Sequence, residues 1–351
     1  MKILVIQQKM IGDVLVSSLI CENLKLNYPK AEIHYLVNRF TIPVIENNPY
    51  INKIVIFEDE YRSSKLKFYK FLKQINKAKY DVVIDAYGKL ESNLITLFSG
   101  AKTKIGWNKP LTNLIYSSTV KISNQSKIGL GSAIENRLNL MSALKGSKIL
   151  TRLPKIHLKP DELDNAKNKI QEFQKTKPVT FIMISALGSS EAKTYPLRFM
   201  AKVLDFIVLN SNALLIMNYM PSQFEDIKKL YFLCDKNTQG KILLNFKIES
   251  LRELMSVSKF CKALIGNEGG AINMAKALDV PTFSIFSPQI NKEGWNGFED
   301  ENLNHVSVHV KDYKPNLFLE KSRTDYMEMY EEFSPSLYLE SLKTFLIKHV
   351  N

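Results

Sequence analysis

Cysteine is scarce in this chain of 351 residues: there are three, widely spaced and odd in number. They are Cys21, Cys234 and Cys261. This pattern favours buried thiols in a reducing compartment over a disulfide framework or a cysteine-based metal site. The five histidines do not have the spacing of metal ligands either. The sequence therefore predicts no metal site.

Long apolar runs are also absent. No segment approaches the roughly 20 apolar residues that a helix needs to span a bilayer. The first residues, 1–8, form a short apolar run that polar residues interrupt at once, without the length or the small-residue exit of a signal peptide. The sequence therefore predicts a cytoplasmic protein that at most rests on the cytoplasmic face of the inner membrane as a peripheral protein.

The composition is that of a globular chain, with 45% apolar and 24% charged residues, and its length favours two domains. Lysine and arginine (48) outnumber aspartate and glutamate (35), which gives a net charge of +13. Such a surplus favours an acidic partner, such as a nucleotide, a phosphorylated substrate or an anionic membrane. Because the charge is spread along the chain and no nucleic-acid-binding motif is present, we predict no nucleic-acid partner.

One predicted helix, at 65–79, carries its charge on one side. Phe68, Leu72 and Ile75 share one face, and lysines 70, 73 and 77 share another. A helix that lies on anionic lipid and an ordinary lysine-rich surface helix both fit this pattern.

Short apolar runs alternate with helical patterns in two series, which predicts an α/β fold with two parallel sheets covered by helices. The predicted strands include 3–6, 33–37, 54–57 and 82–85 in the first series, and 181–184, 214–217 and 242–245 in the second. The region 103–127 is irregular. We predict a Rossmann-like domain at 1–158, a second at 159–335, and a C-terminal helix at 336–351 that packs back on the first.

Ligands of open α/β sheets bind at the carboxyl ends of the strands, and three loops there carry polar residues. The first loop, 7–13, contains Lys9, Gly12 and Asp13. Asp13 fits a general base, since a carboxylate can accept a hydroxyl proton within hydrogen-bond reach. It fits equally well a helix-capping aspartate, with Gly12 easing the turn.

The second loop, 185–196, offers the N–H and hydroxyl groups of Gly188, Ser189 and Ser190 and the charge of Lys193. A diphosphate leaving group could use all of these donors. A plain loop before a helix, with Pro196 near the first turn, remains an alternative.

The third loop, from Gly266 to Asn273, follows a strand and leads into a helix. Gly269 and Gly270 let backbone N–H groups approach a phosphate at a helix N-terminus, and Glu268 suits a sugar or ribose hydroxyl. A tight turn could need these glycines without a ligand, but the position opposite the other two loops favours binding.

At these residues the chain resembles glycosyltransferase family 9, the lipopolysaccharide heptosyltransferase family. The resemblance covers most of the chain. It is carried by the opening strand with Gly12-Asp13, by 80–85 and 101–107, by Lys193-Thr-Tyr-Pro196, and by the segment 266–281.

The resemblance implies a GT-B fold, in which two Rossmann-like domains face each other across a cleft. It also implies an inverting, metal-independent transfer of a sugar from a nucleoside-diphosphate sugar to a lipopolysaccharide core or related glycan, with no other cofactor. Asp13 becomes the catalytic base, with Lys9 and Gly12 in the acceptor-side loop. The donor residues implied are Ser189, Ser190, catalytic Lys193, Glu268, Gly269, Gly270 and Asn273.

The chain departs from the family pattern at four positions. Glu268 replaces an aspartate, Gly269 a serine or threonine, Asn273 a histidine, and Tyr195 a tryptophan. These changes leave open a donor with another sugar or another nucleobase. They also leave open a non-catalytic member that binds a nucleotide or glycolipid, and another GT-B enzyme such as a nucleotide-sugar epimerase.

Overall fold

The protein is described by a computed structural model, which covers residues 1–173, 179–299, 304–320 and 325–351. The chain forms two compact units. The first comprises residues 1–157 together with 293–297, and the second comprises 158–292 and 298–351. The division after His157 lies one residue from the border placed by the sequence analysis.

The first unit contains a parallel sheet of six strands. These are β1 (Lys2–Ile6), β2 (Glu32–Asn38), β3 (Lys53–Phe57), β4 (Val82–Asp85), β5 (Thr103–Trp107) and β6 (Ser118–Val120). Their order is β3-β2-β1-β4-β5-β6, so β1 lies between β2 and β4. The strands are rich in Val and Ile and almost continuously apolar, as expected for a sheet buried on both faces.

Five α-helices lie within residues 1–157: α1 (Ile11–Asn27), α2 (Glu60–Ser63), α3 (Lys65–Lys77), α4 (Leu90–Phe98) and α5 (Ser132–Leu140). Short 3₁₀ helices lie at Arg39–Val44, Asn113–Ile115 and Met141–Ala143. Phe71, Leu72 and Ile75 of α3 are buried in one core with Ile95 of α4. The apolar face of α3 is therefore used by the core of the unit.

The second unit contains a parallel sheet of five strands. These are β7 (Phe181–Ser185), β8 (Leu214–Met217), β9 (Ala263–Asn267), β10 (Thr282–Ile285) and β11 (His305–Val308). Their order is β11-β10-β9-β7-β8, so β7 lies between β9 and β8. The predicted α/β class with two parallel sheets is confirmed.

The remaining helices follow in chain order: α6 (Pro160–Gln171), α7 (Leu197–Leu209), α8 (Phe224–Leu233), α9 (Lys236–Gln239), α10 (Leu251–Ser258), α11 (Gly270–Ala277), α12 (Lys292–Trp295), α13 (Val310–Tyr313), α14 (Pro315–Glu320), α15 (Tyr326–Glu331) and α16 (Leu339–His349). Short 3₁₀ helices lie at Glu191–Lys193, Pro221–Gln223 and Pro335–Leu337. Among the described residues, none of these helices has both the length and the apolar character needed to cross a membrane.

Two predictions about the second half of the chain are wrong. The C-terminal helix was expected to pack on the first domain, but Leu342, Phe345 and Leu346 of α16 lie in the core of the second unit. The expected strand at 242–245 is reduced to a single bridge between Ile242 and Leu215 of β8, because the chain turns at once and the Phe246 N–H bonds to the Leu243 carbonyl. In addition, the region 103–127, taken as irregular, contains the regular strands β5 and β6.

Candidate active site

Each sheet has one place where the strand order reverses, and such switch points are where open α/β sheets bind ligands. In the first unit the reversal lies between β1 and β4, and in the second it lies between β7 and β9. The three loops selected from the sequence leave the carboxyl ends of β1, β7 and β9, which are three of these four strands. The strand order thus supports the choice of loops independently of any motif.

Asp13 lies in the first turn of α1, at the switch point of the first sheet. Met10 is the N-cap of this helix, and Oδ2 of Asp13 accepts the Met10 N–H at 3.3 Å. A carboxylate in this position stabilises the first turn and its dipole. A helix-capping aspartate is one of the two roles that the sequence predicts for Asp13, and the structure shows that Asp13 contributes to the cap, although Met10 occupies the N-cap position.

The second oxygen of Asp13 is bound by Arg137 of α5. The guanidinium donates to Oδ1 of Asp13, to Oγ of Ser17 at 3.1 Å and to the carbonyl of Ala133 at 2.9 Å. The ring of Trp295, in the segment 293–297 that belongs to the first unit, lies 6.0 Å from the guanidinium carbon. Arg137 therefore fixes the orientation of Asp13. No sequence pattern indicates this pairing, because 124 positions separate the two residues.

The loop between β1 and Asp13 is shaped by a buried glutamine. Nε2 of Gln7 donates to the carbonyl of Lys9 at 2.7 Å, and Oε1 accepts from the Ser17 hydroxyl at 3.3 Å. Lys9 is half-buried, while Gly12 is buried within α1. These contacts fold the loop back on α1 and set the entry of the helix that carries Asp13.

Asp85, the last residue of β4, orders the neighbouring loop. It is fully buried and accepts the N–H groups of Tyr87 and Gly88, at 3.0 and 2.8 Å, and the hydroxyl of Tyr116 at 2.8 Å. Burial raises the pKa of Asp85, and these hydrogen bonds act in the opposite direction. The loops after β1 and β4 are therefore both fixed at the switch point.

In the second unit, the loop after β7 depends on Gly188. A Cβ atom at this position would lie 2.2 Å from the Lys193 carbonyl, so only glycine allows the loop to close. The Gly188 N–H donates to Oγ1 of Thr194 at 3.0 Å. Ser189, Ser190 and Lys193 are exposed. A cavity of about 530 Å³ adjoins the loop and is lined by residues 187–191, 194–198, 223, 226, 327, 330 and 331.

Asn267, at the end of β9, joins this loop to the third one. Its side chain, 2% exposed, accepts the Tyr195 N–H at 2.7 Å and donates to the carbonyls of Ser185 and Ala186 at 3.1 and 2.6 Å. Beside it, Gly266 has φ +140°, and a Cβ there would lie 2.2 Å from the Ser185 carbonyl. The two loops thus form one connected surface at the switch point.

The helix α11 begins at Gly270, directly after this junction. Nδ2 of Asn273 donates to the carbonyl of Gly269 at 3.0 Å, so this side chain bonds within its own helix. Glu268, Gly269 and Gly270 are half-buried. The first N–H groups of a helix have no acceptor within it and carry partial positive charge, which suits an anion.

The structure places the predicted donor residues at one edge of the second sheet, while Asp13, Lys9 and Gly12 belong to the first unit. The part of the chain that the structure describes contains no group of three or more His, Cys, Asp or Glu that could hold a metal ion.

The sequence matches the pattern of glycosyltransferase family 9 (heptosyltransferase) over residues 68–316, well over half of the chain. The chain belongs to this family. The resemblance found in the sequence is thereby confirmed, and both loops of the second switch point lie within the matched segment of this family 9 protein.

Two known proteins illustrate how distant the relatives are. Lipopolysaccharide heptosyltransferase 3 of Escherichia coli is 26% identical over 30% of this family 9 chain and 34% of its own length. Lipopolysaccharide heptosyltransferase 1 of Campylobacter coli is 23% identical over 82% of this chain and 84% of its own length. The first match therefore spans about a third of the relative, and the second most of it.

Solved structures of the family share the fold. The glycosyl transferase family 9 structure from Veillonella parvula has a TM-score of 0.79 at 17% identity and covers 99% of this chain and 97% of its own. A heptosyltransferase from E. coli with ADP-2-deoxy-2-fluoro heptose has a TM-score of 0.65 at 18% identity, covering 88% of this chain and 93% of its own. The predicted GT-B fold class is confirmed.

Tyr195, one of the departures from the family 9 pattern, is a core residue. It is fully buried, its hydroxyl donates to the Phe333 carbonyl, and its ring contacts Phe199, Tyr330 and Tyr338. The change from tryptophan at this position therefore lies in the packing behind the loop.

A buried lysine in α11 of this family 9 protein was not anticipated. Lys276 is 4% exposed, and burial lowers its pKa to about 8, while the carboxylates of Glu299 and Glu268 raise it. Because Glu268 itself departs from the family pattern, Lys276 belongs to the electrostatic surroundings of the altered position. The sequence offered no signal for it beyond a lysine among apolar helix positions.

Proposed function

We propose that the protein is an inverting glycosyltransferase that transfers a sugar from a nucleoside-diphosphate sugar to a lipopolysaccharide core or related surface glycan. The observation that carries this proposal is the junction built by Asn267, which combines the loop of Ser189, Ser190 and Lys193 with the N-terminus of α11. Hydroxyl groups, a lysine and free helix amides at one sheet edge match the needs of a diphosphate.

In this mechanism the second unit holds the donor. Lys193 and the hydroxyls of Ser189 and Ser190 stabilise the diphosphate as negative charge develops on it, together with the N–H groups at the start of α11. Glu268 binds a hydroxyl of the donor. A heptose is one candidate sugar, because a solved heptosyltransferase of the same fold is described with an ADP-heptose analogue.

The first unit supplies the base. Asp13 accepts the proton of the acceptor hydroxyl as the acceptor oxygen attacks the anomeric carbon from the face opposite the diphosphate. The bond from that carbon to the diphosphate oxygen breaks, so the configuration inverts and the nucleoside diphosphate leaves. Arg137 acts as a positioning residue, because it holds Oδ1 of Asp13 and is itself held by Ser17 and Ala133.

The transfer is proposed to be metal-independent, because Lys193 and the helix N-terminus supply positive charge for the leaving group. The acceptor is proposed to be a glycolipid or a glycan of the cell surface. The enzyme would then act on the cytoplasmic face of the inner membrane as a peripheral protein. The net charge of +13 supports contact with anionic lipid.

A donor panel tests the reaction class. Binding of ADP, UDP and GDP and their sugars is measured by calorimetry, and then hydrolysis and transfer are assayed with lipopolysaccharide-core acceptors. We expect one nucleotide sugar to bind and to be transferred with inversion. Binding without hydrolysis or transfer would instead support a non-catalytic member, and conversion of the free donor without an acceptor would support an epimerase.

Replacement of the base tests the mechanism. We expect Asp13→Asn to lower kcat by about a hundredfold or more, while the donor dissociation constant stays unchanged, because the donor is held by the second unit. Arg137→Lys keeps a charge but loses the fork geometry and should lower kcat less than Asp13→Asn does. The matched control is Asp161→Asn, an exposed aspartate in the first turn of α6. Near-normal turnover of Asp13→Asn would refute its role as the base.

A further inference from the structure

The first unit exposes large apolar side chains on α4 and on the segment 108–117, hereafter the β5–β6 loop. The exposed residues are Leu90 (73%), Leu97 (46%), Phe98 (48%), Leu111 (95%) and Leu114 (100%). Single exposed leucines are common on protein surfaces, but neighbouring ones mark interaction sites. Residues of α4 contact the 3₁₀ helix that carries Leu114, so these side chains belong to adjacent elements.

The β5–β6 loop is held in place by hydrogen bonds. Nζ of Lys109 donates to the Gly88 carbonyl at 2.8 Å, and its N–H donates to Oδ1 of Asn113 at 3.0 Å. The hydroxyl of Tyr116 bonds to Asp85 and Asn93. The exposure of Leu111 and Leu114 is therefore built into the anchored loop.

Helix α3 places a row of lysines beside α4. Its buried face packs in the core, and its outer face carries Lys70, Lys73 and Lys77 together with exposed Leu66 and Tyr69. None of these three lysines forms an ion pair with another described residue. The contact between α3 and α4 is direct, since Nδ2 of Asn76 donates to the Phe98 carbonyl at 3.0 Å. The lysines of α3 and the exposed apolar side chains of α4 therefore lie on neighbouring helices.

We propose that this surface, the outer faces of α3 and α4 with the β5–β6 loop, docks on an anionic lipid bilayer. The leucines enter the interface, and the lysines bind lipid phosphates, the combination by which peripheral proteins hold to membranes. A second copy of the chain fits poorly, because the lysine rows would repel each other.

The position of the surface relative to the acceptor-side loops supports this partner. Gly88 and Leu90 follow the carboxyl end of β4, and β4 pairs with β1, whose own carboxyl end leads to Asp13. A bilayer on this surface would therefore bring a lipid-anchored acceptor to the edge of the sheet that carries the base. Only this last step rests on the proposed function; the docking itself does not.

Vesicle sedimentation tests the docking without donor or acceptor. The full chain is mixed with vesicles of phosphatidylcholine alone or of phosphatidylcholine with phosphatidylglycerol, and we expect binding to the second kind that weakens as salt rises. The double variant Leu111→Ser/Leu114→Ser should bind about tenfold more weakly for each leucine lost. The matched control, Leu209→Ser/Phe232→Ser, changes residues that are 80% and 73% exposed in the second unit and should bind normally.

A lysine series tests the electrostatic part. Lys70→Gln/Lys73→Gln/Lys77→Gln should weaken binding by about fivefold per lysine. The control triple, Lys236→Gln/Lys262→Gln/Lys343→Gln, carries the same charge change on exposed lysines of the second unit and should leave binding near that of the parent chain.

Equal vesicle binding by the parent and the leucine variant would overturn the proposal. Self-association of the parent chain that is absent in the leucine variant would also overturn it.

A transfer assay with a lipid-free acceptor separates docking from catalysis. We expect the leucine variant to keep that transfer while losing transfer to vesicle-held acceptor. If the parent chain binds vesicles but transfers sugar to neither acceptor, the proposed enzymatic activity is refuted and the docking surface is still supported.

Discussion

The side chain of Asn267 makes three hydrogen bonds, and all its partners are backbone atoms of the loop after β7. An amide is the one side-chain group that can both accept from the Tyr195 N–H and donate to the carbonyls of Ser185 and Ala186 here. This residue joins the loop after β7 to β9, the strand that precedes α11. The shape of this edge of the second sheet therefore depends on one buried amide.

Asn267→Asp should disrupt the edge of the second sheet that the loops after β7 and β9 form. The carboxylate would turn an oxygen toward two carbonyls in a site that is 2% exposed, so we expect a loss of about 3–5 kcal/mol in the free energy of unfolding and loss of nucleotide binding. Chemical denaturation and calorimetry measure these effects. Asn245→Asp, at an exposed position of the same unit, is the control. Stability within 1 kcal/mol of the parent, a margin on the order of ordinary surface changes, would contradict the assigned contacts.

At the scale of single residues, the sequence led to those candidates that follow strands directly. Glu268 directly follows β9, Lys193 lies in the connection after β7, and Asp13 lies in the first turn of the helix after β1; a pattern of alternating strands and helices locates such connections. Arg137 and Lys276 lie within helices, and their relation to Asp13 and Glu268 arises only from packing. No local pattern distinguishes them from other basic helix residues.

At the scale of elements, the turn from β9 to α11 depends on the close approach of two strands. Gly266 pairs with Ser185 of β7, and its φ of +140° together with the 2.2 Å approach of a Cβ to the Ser185 carbonyl exclude a side chain. The tight turn alone would account for this glycine. The same contact, however, also brings the loops after β7 and β9 together.

Gly266→Ala should cost roughly 2–5 kcal/mol in the free energy of unfolding, because strain at φ and a backbone clash add. Nucleotide affinity should fall with it. Gly146→Ala is the control for the φ effect alone, since Gly146 has φ +83° but open space around its Cβ position, and should cost about 1 kcal/mol. Thermal unfolding and nucleotide titration of both variants test this prediction. An equal loss of unfolding free energy in the two variants would show that the close approach to the Ser185 carbonyl is unimportant.

The strands recognised from sequence are those with uninterrupted apolar runs. Strand β5 was missed because Thr103 and Lys104 make its first half polar, and β6 has only three residues. The predicted strand at 242–245 is apolar enough, but it lies at the edge beside β8 and the chain turns after one bridge. Hydrophobicity indicates burial of such a segment and leaves its pairing undetermined.

At the scale of the whole molecule, the alternation of strands and helices was sufficient to predict two parallel sheets. The destination of the last helix was not predictable in this way. The apolar residues of α16 show that one face of the helix is buried. The contact of Phe345 with Phe283 of β10 shows that this face packs in the second unit. An amphipathic pattern specifies a buried face without specifying the neighbour.

The stability of the folded chain should also depend on pH through His309, which caps α13. Its Nδ1 accepts the Lys311 N–H at 3.1 Å, and the side chain is 2% exposed. Burial lowers the pKa of His309 to about 4, with Lys292 acting in the same direction and Asp312 opposing it. Protonation of Nδ1 would remove the capping acceptor, so the folded chain holds this ring neutral.

Above pH 6.5, the ordinary pKa of histidine, both folded and unfolded chains carry a neutral His309, and its stabilisation is fully present. As the pH falls toward 4, the unfolded chain binds a proton that the folded chain does not, so the free energy of unfolding should fall by about 3 kcal/mol. His309→Asn keeps an acceptor for the cap but cannot titrate, so the free energy of unfolding should fall less with pH in this variant. Hydrogen exchange of the β10 and β11 amides at several pH values measures the difference. His34, whose pKa is also lowered by burial, contributes equally to parent and variant and cancels in the comparison. An identical pH dependence in the parent and in His309→Asn would show that His309 titrates normally in the folded chain.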